Sequence, residues 1–387
     1  MQATKKIDTL TGARFTAIML IVWSHFEFLY DYSIGGIYSV FNDPTMGVDF
    51  FFMLSGFGMM LSSIRKSPDG DERIGNVKTL LNFGWKHVAK IYPLYVLMLL
   101  LGIPYHIMML VACDLPLFTA AADAVIKFFA CLTLLQSATG LQEFSHVLNG
   151  VCWFLSSLFC IYLISPILMK ACKRNIKNSK AAVIAIVASV LCSYILAIVF
   201  EWMDRTTRFD VLCYVSPYRR VFYVLCGMLV AQIYRFNQKN PGTAAFAYIS
   251  VGFAMVWFIL RKMVLSRIGP VVYIIDMAIC ICVLYGLSLE KGKISEIFAS
   301  RTMVYLGNIS IYIFITHYLI RTYVDLLFRK LRLASTLTAL VEMIVILAIT
   351  FAVSAMLDRY DHVMKRNLKK MYDKYLGKLF QKLHISV

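Results

Sequence analysis

Long apolar runs recur ten times along this chain, near residues 14–32, 47–64, 91–112, 152–170, 182–201, 217–235, 243–260, 269–289, 303–324 and 337–357. Each approaches the roughly 20 residues that a helix needs to cross about 30 Å of hydrocarbon. Short polar segments rich in lysine and arginine separate them. The pattern predicts an all-α fold, a polytopic transmembrane helix bundle of about ten spans. An eleventh apolar stretch, Ala120 to Gln136, is short and carries Asp123 and Lys127; it reads as a re-entrant or interfacial segment rather than a span. No internal repeat, low-complexity block or Pro/Gly/Ser linker divides the chain, so residues 1–357 are expected to form one membrane domain. After it, residues 358–387 place Met364, Leu368, Met371, Tyr375, Leu379 and Leu383 three or four apart among lysines. That spacing predicts a basic amphipathic helix resting on an anionic leaflet.

Composition sharpens this picture. Of 387 residues, 60% are hydrophobic and 16% charged, more apolar surface than a soluble chain of this length can bury, which argues against soluble enzymes, nucleic-acid binders and disordered proteins. The net charge of +17 would suggest nucleic acid in a soluble protein, but here the cations sit between and beyond the apolar runs. With ten spans and a cytoplasmic N-terminus, 27 of the 39 lysines and arginines fall in the inside segments and the tail, the positive-inside bias expected if both termini are cytoplasmic. Arg329, Lys330 and Arg332 run against it. Making residues 120–136 a full span would invert everything downstream and carry the basic tail outside. The ten cysteines, of which only Cys280 and Cys282 are close in sequence, show neither a disulfide framework nor zinc spacing, and no metal site is expected. The N-terminus reads as an uncleaved first span, because no small-residue cleavage site follows its basic stretch.

Ionisable residues within spans are costly and therefore candidates for function. Arg14 and His25 lie eleven steps apart, which at 100° per residue is three turns plus about 20°, so a helix sets them on one face about 16 Å apart along its axis. Arg14 then sits near one mouth of the bundle and His25 at about mid-depth or beyond, where a neutral imidazole can serve as a general base; a snorkelling arginine and a histidine satisfied by a carbonyl are the alternative. Asp49, at the start of the second run, either orients the His25 ring as in a triad or caps its own helix. Ser55, Gly56 and Gly58 read as close-packing positions. Lys86, His87 and Lys90 precede Pro93, which suits the first turn of the third span; they form either a phosphate cradle at a helix N-terminus or an ordinary positive-inside flank. His317 is either bonded to a backbone carbonyl or a substrate contact.

In order along the chain, these segments resemble the acyltransferase-3 family of integral-membrane acyltransferases. The resemblance rests on Arg14 and His25, on G-V-D-x-F-F-x-x-S-G-F (Gly47 to Phe57), and on His87, Lys90, Ile91 and Pro93. It continues through Trp153, Phe154 and Leu155, through Phe222, Gly227, Met228 and Leu229, and through Leu306, Gly307, Ile309, Ser310, Tyr312 and His317. It implies transfer of an acyl group, usually acetyl, from cytoplasmic acetyl-CoA to a hydroxyl of a cell-envelope glycan or lipid-linked acceptor at a bacterial plasma membrane. Arg14 and His25 would be the essential pair, with Asp49 beside them. Lys86, His87 and Lys90 would meet the CoA phosphates, and Trp153 and His317 would contact substrate. Two positions depart from the family. His87 and Lys90 replace arginines and lose their bidentate fork, and Leu158 stands where many members carry a glutamate. A transporter of a glycan or lipid-linked sugar is the competing class, against which the absence of related halves counts.

Overall fold

The computed structural model describes residues 6–67, 77–203, 211–239, 242–331 and 335–371, with the side chains of 40–41, 265–267 and 361–371 left aside. Its helices are α1 (Asp8–Ser24), α2 (Gly35–Phe41), α3 (Thr45–Lys66), α4 (Val77–Val88), α5 (Tyr92–Ala112), α6 (Leu117–Leu132), α7 (Gln142–Ser145) and α8 (Trp153–Asn175). They continue with α9 (Ser179–Met203), α10 (Pro217–Phe236), α11 (Ala244–Ile268), α12 (Val272–Ser288), α13 (Gly292–Phe298), α14 (Arg301–Lys330) and α15 (Thr336–Met371). Among the described residues there is no strand.

Each of the ten apolar runs falls on a helix, and among the described residues eight helices are long and apolar enough to cross a membrane. The other two are α1, of 17 residues, and α10, where Arg219, Arg220, Gln232 and Arg235 interrupt an otherwise apolar sequence. The first run was expected to stay helical to residue 32. Instead α1 stops at Ser24, and a 3-10 turn follows at Glu27–Asp31. The stop is held by local bonds to carbonyls that a helix end leaves free: Ser24 Oγ donates to the Ile21 carbonyl at 2.8 Å and Tyr38 Oη to that of Ser24 at 2.8 Å. At the other terminus, α15 runs unbroken past residue 357 to Met371. The rest of the basic tail, with Tyr375, Leu379 and Leu383, lies outside the described residues, as do the side chains of Met364, Leu368 and Met371, and also Lys5 and Arg332.

Burial sorts the helices into an inner frame and an outer layer. In α3, 78% of the apolar window is buried, against 17% in α11 and 22% in α15. Outer positions such as Phe118, Ile184 and Trp202 present bare apolar side chains, the surface expected where lipid is the solvent. The inner helices meet backbone to backbone. A Cβ on Gly56 of α3 would lie 1.9 Å from the Val224 carbonyl oxygen, and one on Gly227 of α10 would lie 1.8 Å from that of Met53. Likewise Gly47 of α3 abuts the Ala17 carbonyl of α1, and Gly307 of α14 abuts that of Thr11.

The eleventh stretch forms α6, which lies antiparallel beside α5. Tyr92 Oη donates to the Leu132 carbonyl at 2.8 Å, Tyr95 Oη to that of Cys131 at 2.7 Å, and His106 Nε2 lies 2.8 Å from Asp123 Oδ2. Asp123 also pairs with Lys127 at 2.8 Å, so the charges that argued against a span partner one another and α5. The chain then folds inside the bundle before α8 begins. Ser137 Oγ donates to the Trp153 carbonyl at 2.8 Å and Asn149 Nδ2 to that of Ile315 at 2.9 Å. Leu134 (φ 56°) and Leu148 (φ 61°) bracket this insert in the left-handed region, which leucine occupies at a cost of about 1–3 kcal/mol each.

Candidate active site

Because α1 ends at Ser24, His25 sits at its C-cap (φ −94°, ψ 11°), its ring turned back onto the last helical turn. Nδ1 lies 2.7 Å from the Ile21 carbonyl oxygen. A carbonyl can only accept, so Nδ1 carries the proton, and a neutral ring then has its lone pair at Nε2. Of the readings open for Asp49, neither matches its surroundings. Its carboxylate, 0% exposed, pairs with the equally buried Arg220 of α10. The chain start of α3 is bonded by Asp43, whose Oδ1 accepts from the Thr45 amide at 2.9 Å. A backbone carbonyl, not Asp49, holds the His25 ring.

His317, on α14, is 1% exposed and stands behind His25. Its Nδ1 lies 3.0 Å from the Ile313 carbonyl oxygen, which assigns it the same tautomer, and its Nε2 is 3.4 Å from His25 Nδ1. The two ring centroids are 5.1 Å apart, and Tyr318 closes edge-on against His25 at 5.4 Å. The carbonyl-bonded alternative for His317 therefore holds, and its second nitrogen is directed at His25 rather than into the adjacent cavity.

That cavity, about 440 Å³, is lined by His25 together with Glu27, Asn42, His146, Trp153 and Tyr214, among others. Trp153 opens α8 and packs against Tyr214 with ring centroids 5.1 Å apart, and against His146 at 6.3 Å. Tyr214 is itself fixed from behind: Arg220 Nε donates to its carbonyl at 2.7 Å, and the guanidinium sits 4.6 Å over its ring. Asp49 and Arg220 thus buttress the aromatic wall of the cavity.

Toward the N-terminal end of α1 a second set of residues converges. Arg14 interacts electrostatically with Tyr162 of α8, whose hydroxyl bonds to the Ser55 side chain. His87, at the end of α4, stacks on Tyr162 at 4.9 Å while its Nδ1 bonds the Phe83 carbonyl at 2.8 Å. Lys6, whose Nζ donates to Asn308 Oδ1 at 2.6 Å, feels both Arg14 and Lys90; partial burial and these two cations hold its ammonium below the usual lysine range, with Asp8 opposing them. Lys86 and Lys90 are solvent-exposed, and α5 carries Pro93 in its first turn. The structure therefore brings Arg14, His87 and Lys90 into one basic neighbourhood and adds Lys6 and Tyr162 to it. Between this end and the cavity lie Phe51, Phe154 and Phe314; Phe154 contacts Phe314 at 5.1 Å and Phe51 at 6.2 Å.

Sequence reasoning missed several further buried charges. Arg219 and Arg220 are 1% and 0% exposed; Arg261 and Asp276 are 3% and 0% exposed and joined by three contacts of 2.9–3.0 Å. Trp257 Nε1 donates to Asp276 Oδ1 at 2.7 Å, and Asp43 completes the group on Arg261. Arginines and an aspartate within apolar runs were the available signal. Among the described residues no group of His, Cys, Asp and Glu is placed to hold a metal ion.

The fold and this site define a polytopic helical membrane protein with a histidine-lined cavity and a basic cluster toward the other end of the same helix. The acyltransferase-3 family model, described as an acyltransferase domain, matches residues 7–359; the chain belongs to that family and is a membrane acyltransferase. No curated protein and no solved structure matches it.

Proposed function

We propose that the protein is an O-acyltransferase of the cell membrane that moves an acyl group, acetyl in the simplest case, from acyl-CoA to a hydroxyl of a cell-envelope glycan or similar acceptor. The observation that carries this reading is the division of α1: a base-competent imidazole on a cavity at one end, and Arg14 among Lys6, His87 and Lys90 toward the other. With both termini cytoplasmic, the basic end meets the donor. Arg14, Lys6 and Lys90 attract the CoA phosphates, with Lys86 exposed nearby, and the Tyr162 hydroxyl stands beside the path of the pantetheine arm. That arm passes Phe51, Phe154 and Phe314 to bring the thioester to His25.

The acceptor enters the cavity against Trp153 and Tyr214. His25 Nε2 takes its hydroxyl proton as the oxygen forms a bond to the thioester carbonyl carbon. The carbon–sulfur bond then breaks, and the CoA thiolate leaves with the proton that His25 returns. A positioned base of this kind contributes about 10²–10⁴-fold. His25→Ala, inserted in membranes at the wild-type level, should abolish acceptor-dependent CoA release and the matching ester mass on envelope glycans. Undiminished transfer by that variant would remove the base assignment.

A further inference from the structure

We propose that His317 is the neutral hydrogen-bond acceptor that stabilises His25 when it becomes charged, the place an aspartate holds in a catalytic triad. The inference rests on the acyltransfer reading above and deepens it. When His25 Nε2 takes the acceptor's proton, the ring becomes an imidazolium with protons on both nitrogens. Its Nδ1–H has two acceptors in reach, the Ile21 carbonyl at 2.7 Å and His317 Nε2 at 3.4 Å. His317 is held ready for this by its own Nδ1–H, which is committed to the Ile313 carbonyl and leaves Nε2 unprotonated. No bond is made or broken at His317: the proton taken by His25 Nε2 passes to the departing thiolate, and the His25 Nδ1 proton remains shared between Ile21 and His317 throughout.

A lone pair serves better here than a carboxylate. Glu27, which lines the cavity with His25, pairs with Arg321, Asp49 is committed to Arg220, and a free carboxylate at this depth would carry a heavy desolvation cost in every resting state. A neutral imidazole costs little before the reaction and accepts more strongly once His25 is charged, so the added stabilisation belongs to the transition state. His317 is therefore a positioning residue that acts through His25 and touches neither substrate.

The test compares His317→Gln, His317→Phe and His25→Ala in reconstituted membranes, with kcat and the KM for donor and for acceptor measured separately. Loss of a hydrogen bond to a charged group corresponds to roughly a 10- to 100-fold effect. His317→Phe should lower kcat by that factor with both KM values unchanged. His317→Gln, whose side-chain oxygen can accept from His25 Nδ1–H, should recover most of it. Wild-type kcat in His317→Phe, or an equal loss in the Gln and Phe variants, would overturn the inference, as would an effect confined to KM. If His317→Phe does not accumulate, the ratio of kcat in His317→Gln to that in His317→Leu decides the matter by the same criterion. Full activity of His25→Ala would remove the base and this inference together, whereas a dead His25→Ala beside an unaffected His317→Phe overturns the inference alone.

Discussion

Arg220 on α10 and Asp49 on α3, 171 residues apart in the chain, form an ion pair in which neither side chain is exposed. Removing one member strands the other charge in the bundle interior, which costs about 3–5 kcal/mol. Asp49→Ala and Arg220→Ala should each lower the unfolding temperature in detergent, and the double variant should be destabilised by much less than the sum of the two. Because the pair buttresses Tyr214 and makes no bond to His25, an Asp49→Asn variant that remains folded should raise the acceptor KM while kcat stays near the wild-type value. A collapse of kcat at unchanged stability would instead place Asp49 in the chemistry.

The Trp153–Tyr214 wall makes a second expectation specific. Trp153→Ala removes a ring that can lie against the acceptor, an interaction of about 1 kcal/mol or more. The acceptor KM should rise roughly 5- to 10-fold, with the donor KM unmoved. Initial rates over a matrix of donor and acceptor concentrations separate the two.

Donor binding should follow the basic end of α1. Arg14→Ala should raise the donor KM by about tenfold or more, and added salt should weaken the wild-type interaction more than that of the variant. Lys6 provides the pH dependence. Its ammonium is charged at low pH and loses that charge as pH rises through a value held below the usual lysine one of about 10.4. Donor KM should therefore increase on the alkaline side earlier than an ordinary lysine would allow. Lys6→Arg, which stays charged throughout, should flatten that limb of the profile.

Packing makes a paired prediction within the inner helices. Gly227→Ala would drive its Cβ into the Met53 carbonyl, whereas a Cβ on Gly58 meets nothing within 4 Å. The first variant should be lost from the monodisperse fraction in size-exclusion chromatography. Gly58→Ala should be neutral or stabilising by about 0.5–1 kcal/mol through helix propensity alone.

Much of this arrangement could be read before any coordinates. The ten apolar runs mark the helices, which follow from local periodicity, whereas the eleven-residue interval from Arg14 to His25 leaves only Arg14 within α1 and puts His25 at its C-cap. What periodicity does not specify is which helix lies opposite. In lipid, apolar faces are nearly interchangeable, and partners are chosen by small residues and isolated polar groups far apart in sequence. Nothing local therefore pairs Asp49 with Arg220, 171 residues away, or His317 with His25, from which 292 residues separate it. The consecutive pair Arg219–Arg220 inside an apolar run is a local hint that a buried anion waits elsewhere. The early end of α1 had no comparable hint, since Phe26, Phe28 and Leu29 continue the apolar pattern beyond the turn.

The main-chain contacts at Gly307, Gly47, Gly56 and Gly227 join α14 to α1, α1 to α3, and α3 to α10 without side chains between them. Atoms already at van der Waals limits have no slack to shear. The helices that carry Arg14, Asp49, Arg220 and His317, and the end of α1 at His25, consequently have little room to slide past one another.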